Sequence, residues 1–145
     1  MDTFRAPEQG SLGYFLNAKP YFYFTPAQAS NKPYFDVSQF KSLPRVDVIY
    51  SYQDATADLL EVAIERGAKG IVINGSGSGW GSPALELAAA ELTAKGFPII
   101  LASRTGSGFS LRVSEQGISA GVLNAQKSRI VLMLALACGY KHAQI

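Results

Sequence analysis

One cysteine, Cys138, and one histidine, His142, are all the thiol and imidazole that this 145-residue chain contains. A lone thiol can form neither an internal disulfide nor a thiolate cluster for zinc. Cys138 ends the apolar run Val131-Leu-Met-Leu-Ala-Leu-Ala-Cys138 and is expected to be a small buried hydrophobe rather than a nucleophile. His142 falls in the last four residues, where chain ends are usually frayed. Ser-His-Asp chemistry, Cys-His chemistry and His-based metal sites are therefore disfavoured, and no metal or other cofactor is expected. The segment that draws attention instead is Gly75-Ser-Gly-Ser-Gly-Trp-Gly81. It joins the end of a predicted strand to a predicted helix N-terminus, where α/β sheets bind ligands. It fails the phosphate-binding patterns, because no GK[ST] follows and glycines at 75, 77, 79 and 81 never give G-x-G-x-x-G. Trp80 at its tip is expected to be half exposed, and a tryptophan so placed is a common interface anchor.

The elements that would carry this loop follow from hydrophobic patterning. From Val46 onward, short β-branched runs alternate with amphipathic stretches, the signature of βαβ units and a parallel sheet. Strands are predicted over Val46–Tyr50, Ile71–Asn74, Pro98–Ser103 and, briefly, Ile118–Ala120. Between them, Asp54 is expected to cap a helix running to Arg66, with Gly67 ending it. Ser82 and Pro83 open a second helix that Gly96 closes. A third helix is predicted over Ala125–Ala137. The fold class is thus α/β: a small, doubly wound, mainly parallel four-stranded sheet with flanking helices. Residues 1–45 differ. Aromatics crowd into Tyr14-Phe15 and Tyr21-Phe-Tyr-Phe24 around Asn17-Ala-Lys-Pro20, which predicts a β-hairpin, and Pro26, Pro33 and Pro44 mark the link to residues 46–145. Such a hairpin has little core of its own, so it is expected to pack on the α/β unit or to meet another chain.

Composition bounds the partners. Thirteen basic and eleven acidic side chains are scattered rather than striped, leaving a formal charge of +2 and no footprint for nucleic acid. The longest apolar stretch, Ile130 to Cys138, is about nine residues, against roughly 20 for a membrane span. Met1-Asp-Thr-Phe-Arg5 has no apolar core of a secretory signal, so the sequence as written is expected to stay in the cytoplasm.

Six stretches in order, Asp2–Gly13, Phe35–Ser38, Leu43–Tyr50, Gly67–Val72, Ser103–Gly108 and Leu123–Ile130, carry a resemblance. Together they resemble the C-terminal half of type II L-asparaginases and glutaminase-asparaginases. The resemblance spans almost the whole chain. It implies a domain that follows a larger one bearing the threonines, aspartate and lysine of amide hydrolysis, none of which is here. Members of that family are often periplasmic or secreted.

In that family the C-terminal domain also supplies two groups to a partner subunit's active site. The resemblance places one at Glu115, where a carboxylate would suit an α-ammonium group; the bland reading is a solvated loop glutamate. The other falls at Trp80, with Ser78 two residues before it. Here the chain departs from the family, which carries a small Asn or Ser. An indole donates one hydrogen bond, accepts none and crowds a small pocket. With both loops following strands, Glu115 and Trp80 are expected together at the carboxyl end of the sheet. The implied partners are an asparaginase-type catalytic domain or a homo-oligomer mate, and a small amino-acid amide as substrate. Two functions lead: a piece of an L-asparagine amidohydrolase that contributes contacts in trans, or a stand-alone binding or assembly module derived from such a domain; the related glutaminyl-tRNA amidotransferase subunits share the fold, but no basic patch for tRNA is visible.

Overall fold

The computed structural model describes residues 5, 10–25, 33–111 and 115–145. Most of the first matching stretch, Pro26, and residues 112–114 of the loop after the third predicted strand lie outside the described residues. The chain divides into two compact units, Met1–Tyr34 and Phe35–Ile145.

In the first unit, β1 (Gly13–Leu16) and β2 (Lys19–Phe22) pair antiparallel, with Leu16 opposite Lys19. The two turn residues, Asn17 and Ala18, have φ of 49° and 62°. That left-handed pair is the backbone of a type I′ hairpin turn, whose twist matches the strands. Tyr14, Tyr21 and Tyr23 group together, and the Tyr23 hydroxyl donates to that of Tyr14 at 2.6 Å.

In the second unit, β3 (Val46–Tyr50), β4 (Gly70–Gly75), β5 (Ile99–Ser103) and β6 (Ile118–Ser119) form one sheet in sequential order. All three pairings are parallel. Helices α1 (Asp58–Glu65), α2 (Pro83–Ala94) and α3 (Ala125–Ala137) cover it. Strand alternation divides the core into two layers. Ile49, Ile71, Ile73, Ile99 and Leu101 pack with Leu60 and Ala63 of α1 and Leu85 and Ala89 of α2. Val46, Val72, Ile100 and Ala102 pack with Ala125 and Leu132 of α3. β4 is buried along its whole length, as a central parallel strand must be. Arg129 on α3 donates from Nε to the Val46 carbonyl at 2.8 Å, which ties that helix to the edge strand.

Two local expectations fail. Asp54 does not cap α1. It sits in a turn at φ 62°, where Ala55 N donates to Tyr52 O, and the helix starts four residues later with the Thr56 hydroxyl bonded to Asp58. Nor is Cys138 buried: it ends α3 on an exposed face, beyond the turn that Leu132 and Ala135 bury. A run can be apolar at every position while its helix buries only one side.

Candidate functional site at the carboxyl edge of the sheet

Ser82 accepts from Leu85 N at 3.2 Å, and its hydroxyl also donates to Ala55 O, so one buried side chain caps α2 and pins the β3–α1 turn beside it. Pro83 takes the first helical position, where a missing N–H costs nothing. Gly81 N donates to Glu86 Oε1 at 3.0 Å. The helix therefore begins at a fixed point just past the end of β4.

The glycine-rich loop between β4 and α2 closes on itself. Ser76 N donates to Trp80 O at 2.9 Å, Trp80 N to Ser76 O at 2.8 Å, and Gly79 N to Ser76 O at 2.9 Å. Gly77 and Gly79 have φ of 48° and 91°, values that an L side chain rarely adopts. Gly75 is required for a different reason, crowding. A Cβ there would lie 2.4 Å from Trp80 O and 2.6 Å from Gly79 C. The glycines thus encode a tight, specified turn, and its product is the placement of Trp80, which is 51% exposed.

Trp80 borders an open crevice of about 250 Å³ that Tyr52, Asp54, Ser76, Ser82 and Arg104 also line. Arg104 lies one residue beyond β5. Its backbone N–H donates to Gly75 O at 2.8 Å and its Nη1 to Ser51 O at 3.2 Å, so the guanidinium crosses the ends of β3 and β4. The crevice therefore combines one cation, one carboxylate and two aromatic rings over strand ends. This can hold a polar ligand or a partner's side chains, and among the described residues it supplies no activated nucleophile. Among the described residues, the hydroxyls bonded to carboxylates are Thr56 with Asp58 and Ser38 with Asp36, both at the starts of helical turns. Among the described residues no group of three His, Cys, Asp or Glu could hold a metal ion.

Ser78 is half-buried, and its Oγ accepts from Leu111 N at 3.2 Å, so its hydroxyl oxygen faces the segment after β5. Glu115 is exposed and lies elsewhere. The next residue, Gln116, accepts through its carbonyl from Thr93 Oγ1 at the far end of α2, at 3.1 Å. Gly117 lies against Ile99, the first residue of β5. Glu115 is therefore at the amino edge of the sheet, not at the carboxyl edge beside Trp80. The reason is topological. β6 runs parallel to β5, so the connection must return to the amino edge before β6 begins, and Glu115 is three residues from that beginning. A five-residue strand separates the two edges, roughly 15 Å.

Sequence reasoning missed Tyr52, Arg104 and Ser110 as parts of this edge. Arg104 lies inside a matching stretch and is open to notice; Ser110, between Phe109 and Leu111, gives no signal.

Among the described residues no helix is long and apolar enough to cross a membrane. Residues 45–145 match the family described as the glutaminase/asparaginase C-terminal domain. The chain is 40% identical to L-asparaginase 2-3 of Saccharomyces cerevisiae, a match over 100% of this chain and 42% of that protein. It is 40% identical to "Probable L-asparaginase 4" of Schizosaccharomyces pombe, over 97% of this chain and 39% of the relative. Among solved structures it is similar to a "Probable Cytoplasmic L-asparaginase" from Campylobacter jejuni, with a TM-score of 0.79, 40% identity, and coverage of 90% of this chain and 45% of that one. The chain spans about two fifths of the length of these curated relatives. On the match of residues 45–145, which carry the whole sheet and its three helices, this chain belongs to the glutaminase/asparaginase C-terminal domain family.

Proposed function

We propose that the chain is the C-terminal part of an L-asparaginase-like amidohydrolase and presents the carboxyl edge of its sheet to a catalytic domain that carries the nucleophile. The observation that supports this most is the pairing of a match along the whole chain with coverage of about two fifths of each relative. The chemistry agrees: the edge offers an ordered loop, the Trp80 ring and an open crevice and, among the described residues, no nucleophile with a base beside it. In this reading the substrate is a small amino-acid amide, L-asparagine or L-glutamine, and Trp80 forms part of its wall. Glu115, at the other edge, is left out of the contact.

The test is an ammonia-release assay on the chain alone, on an asparaginase-type catalytic domain alone, and on the two mixed, with light scattering to follow assembly. Turnover is expected only in the mixture. Turnover by the isolated chain, abolished by a substitution within it, would overturn the proposal. Assembly without turnover would instead favour a binding module.

A further inference from the structure

A loop with four glycines in seven residues has more backbone freedom to lose than almost any other sequence. Its internal hydrogen bonds fix its shape. A pair of serines 32 residues apart in sequence ties the loop to the segment after β5. Ser110, 1% exposed, donates from Oγ to Leu101 O in β5 at 2.7 Å and shares that proton with Ser78 O at 3.1 Å. Leu111 N returns a bond to Ser78 Oγ at 3.2 Å. Ser110 is itself fixed from the other side. Its backbone exchanges two bonds of 2.9 Å with Gly121, and its carbonyl accepts from the Ser119 hydroxyl. Gly79 completes the fit, since a Cβ there would lie 3.2 Å from both Ser110 Oγ and Leu101 Cβ.

We propose that Ser78 and Ser110 form a latch that holds the Trp80 loop against the segment after β5, and that both are positioning residues for Trp80. The mechanical part of this stands on the geometry alone; its effect on turnover rests on the proposed function. With the latch closed, the indole keeps one orientation over the crevice. With it open, the loop keeps its own ring of bonds and its anchors at Gly75 and Gly81 but loses this tie to the segment after β5, and the indole samples more orientations.

Trp80 is the only tryptophan in the chain, so its fluorescence reports the loop directly. Ser78→Ala removes the acceptor for Leu111 N, Ser110→Ala removes the shared proton, and Ser78→Thr keeps a hydroxyl. In the intact chain, acrylamide quenching of Trp80 is expected to rise about twofold in each alanine variant, as local opening of a loop exposes it, and to stay at the parent value in Ser78→Thr. The double alanine variant should add little to the larger single effect, because coupled residues are not additive. Far-UV circular dichroism separates loop release from unfolding, and if Ser110→Ala fails to fold, the half-buried Ser78 still decides. Unchanged quenching in folded Ser78→Ala, or equal quenching in Ser78→Ala and Ser78→Thr, would overturn the latch. In the mixture with a catalytic domain, Ser78→Ala should raise KM more than it lowers kcat, and Ser78→Thr should restore KM. An equal fall in kcat in both variants would overturn the positioning role. A mixture without turnover even for the parent chain would defeat the proposed function and leave the quenching result to decide the latch.

Discussion

Gly75 faces the carbonyl oxygen of Trp80 across the loop so closely that a methyl group built on it would lie 2.4 Å away. The obstacle is backbone on both sides, Trp80 O and Gly79, and not the end of a flexible side chain. Gly75→Ala must therefore push the loop off its own hydrogen bonds or strain the end of β4. A loss of about 1–3 kcal/mol is expected, the usual cost of overpacking, with a shift in Trp80 emission. Gly106→Ala is the control, because a methyl group at that position would meet nothing within 4 Å and its φ is not left-handed. Equal melting temperatures for the two variants would count against this account of the loop.

Gly70 and Leu132 meet inside the core, and there the obstacle to a methyl group is a side-chain end rather than backbone. A Cβ on Gly70 would lie 2.8 Å from Leu132 Cδ2, and Leu132 is 1% exposed between α3 and the sheet. Leu132→Ala should cost about 2–5 kcal/mol through lost burial and the cavity left behind. Gly70→Ala alone should cost about 1–3 kcal/mol by overpacking. Together they should cost less than the sum, since the new methyl occupies space that the leucine vacated. Additive losses in denaturant unfolding would contradict the packing described.

Asp36 offers a pH signal. The Ser38 hydroxyl, then the Gln39 amide and Ser38 N–H, all donate to its carboxylate and hold its pKa below the ordinary value. A carboxyl whose folded pKa is lowered contributes stability above its unfolded value, near 3.9, and that contribution is lost as pH falls through the folded value. An NMR titration of Asp36 should therefore show a midpoint below about 3.9. In Ser38→Ala the midpoint should move back toward that value, and an unmoved midpoint would rule out the serine as the main cause.

Periodicity carries most of the α/β unit. The apolar pattern over Ala125–Ala137 makes the third helix legible to both ends, and in the structure Asn124 caps its start while Ala125, Leu132 and Ala135 are buried. Ser82 and Pro83 give α2 its start. Asp54 misleads because acidic residues suit turns as well as caps, and here the turn wins. Cys138 misleads because a count of apolar residues does not say which helical face each occupies. Glu115 is more instructive. Its edge is deducible, since any residue just before a parallel strand lies at that strand's amino end, whereas motif spacing points to the opposite edge. The latch is not deducible. Hydrogen bonds between two loops 32 residues apart leave no period or composition to detect.

The separation of Trp80 and Glu115 gives the last prediction, read in the reconstituted mixture. One substrate cannot touch both from a single copy of this unit, because they stand at opposite ends of the strands. Glu115→Gln should leave KM and kcat for L-asparagine within about twofold of the parent values, as removal of an exposed charge remote from the reacting atoms does. Trp80→Asn should act at the site. It removes the bulk of the indole and replaces one donor with an amide that both donates and accepts, so one further hydrogen bond to an amide substrate becomes available. A neutral hydrogen bond is worth about 0.5–1.5 kcal/mol, so kcat/KM should rise roughly 2- to 10-fold. No change would mean that Trp80 packs against the catalytic domain without meeting substrate. A tenfold loss in Glu115→Gln would mean that the amino edge, not the crevice edge, faces the reaction, and the orientation proposed for this unit would have to be reversed.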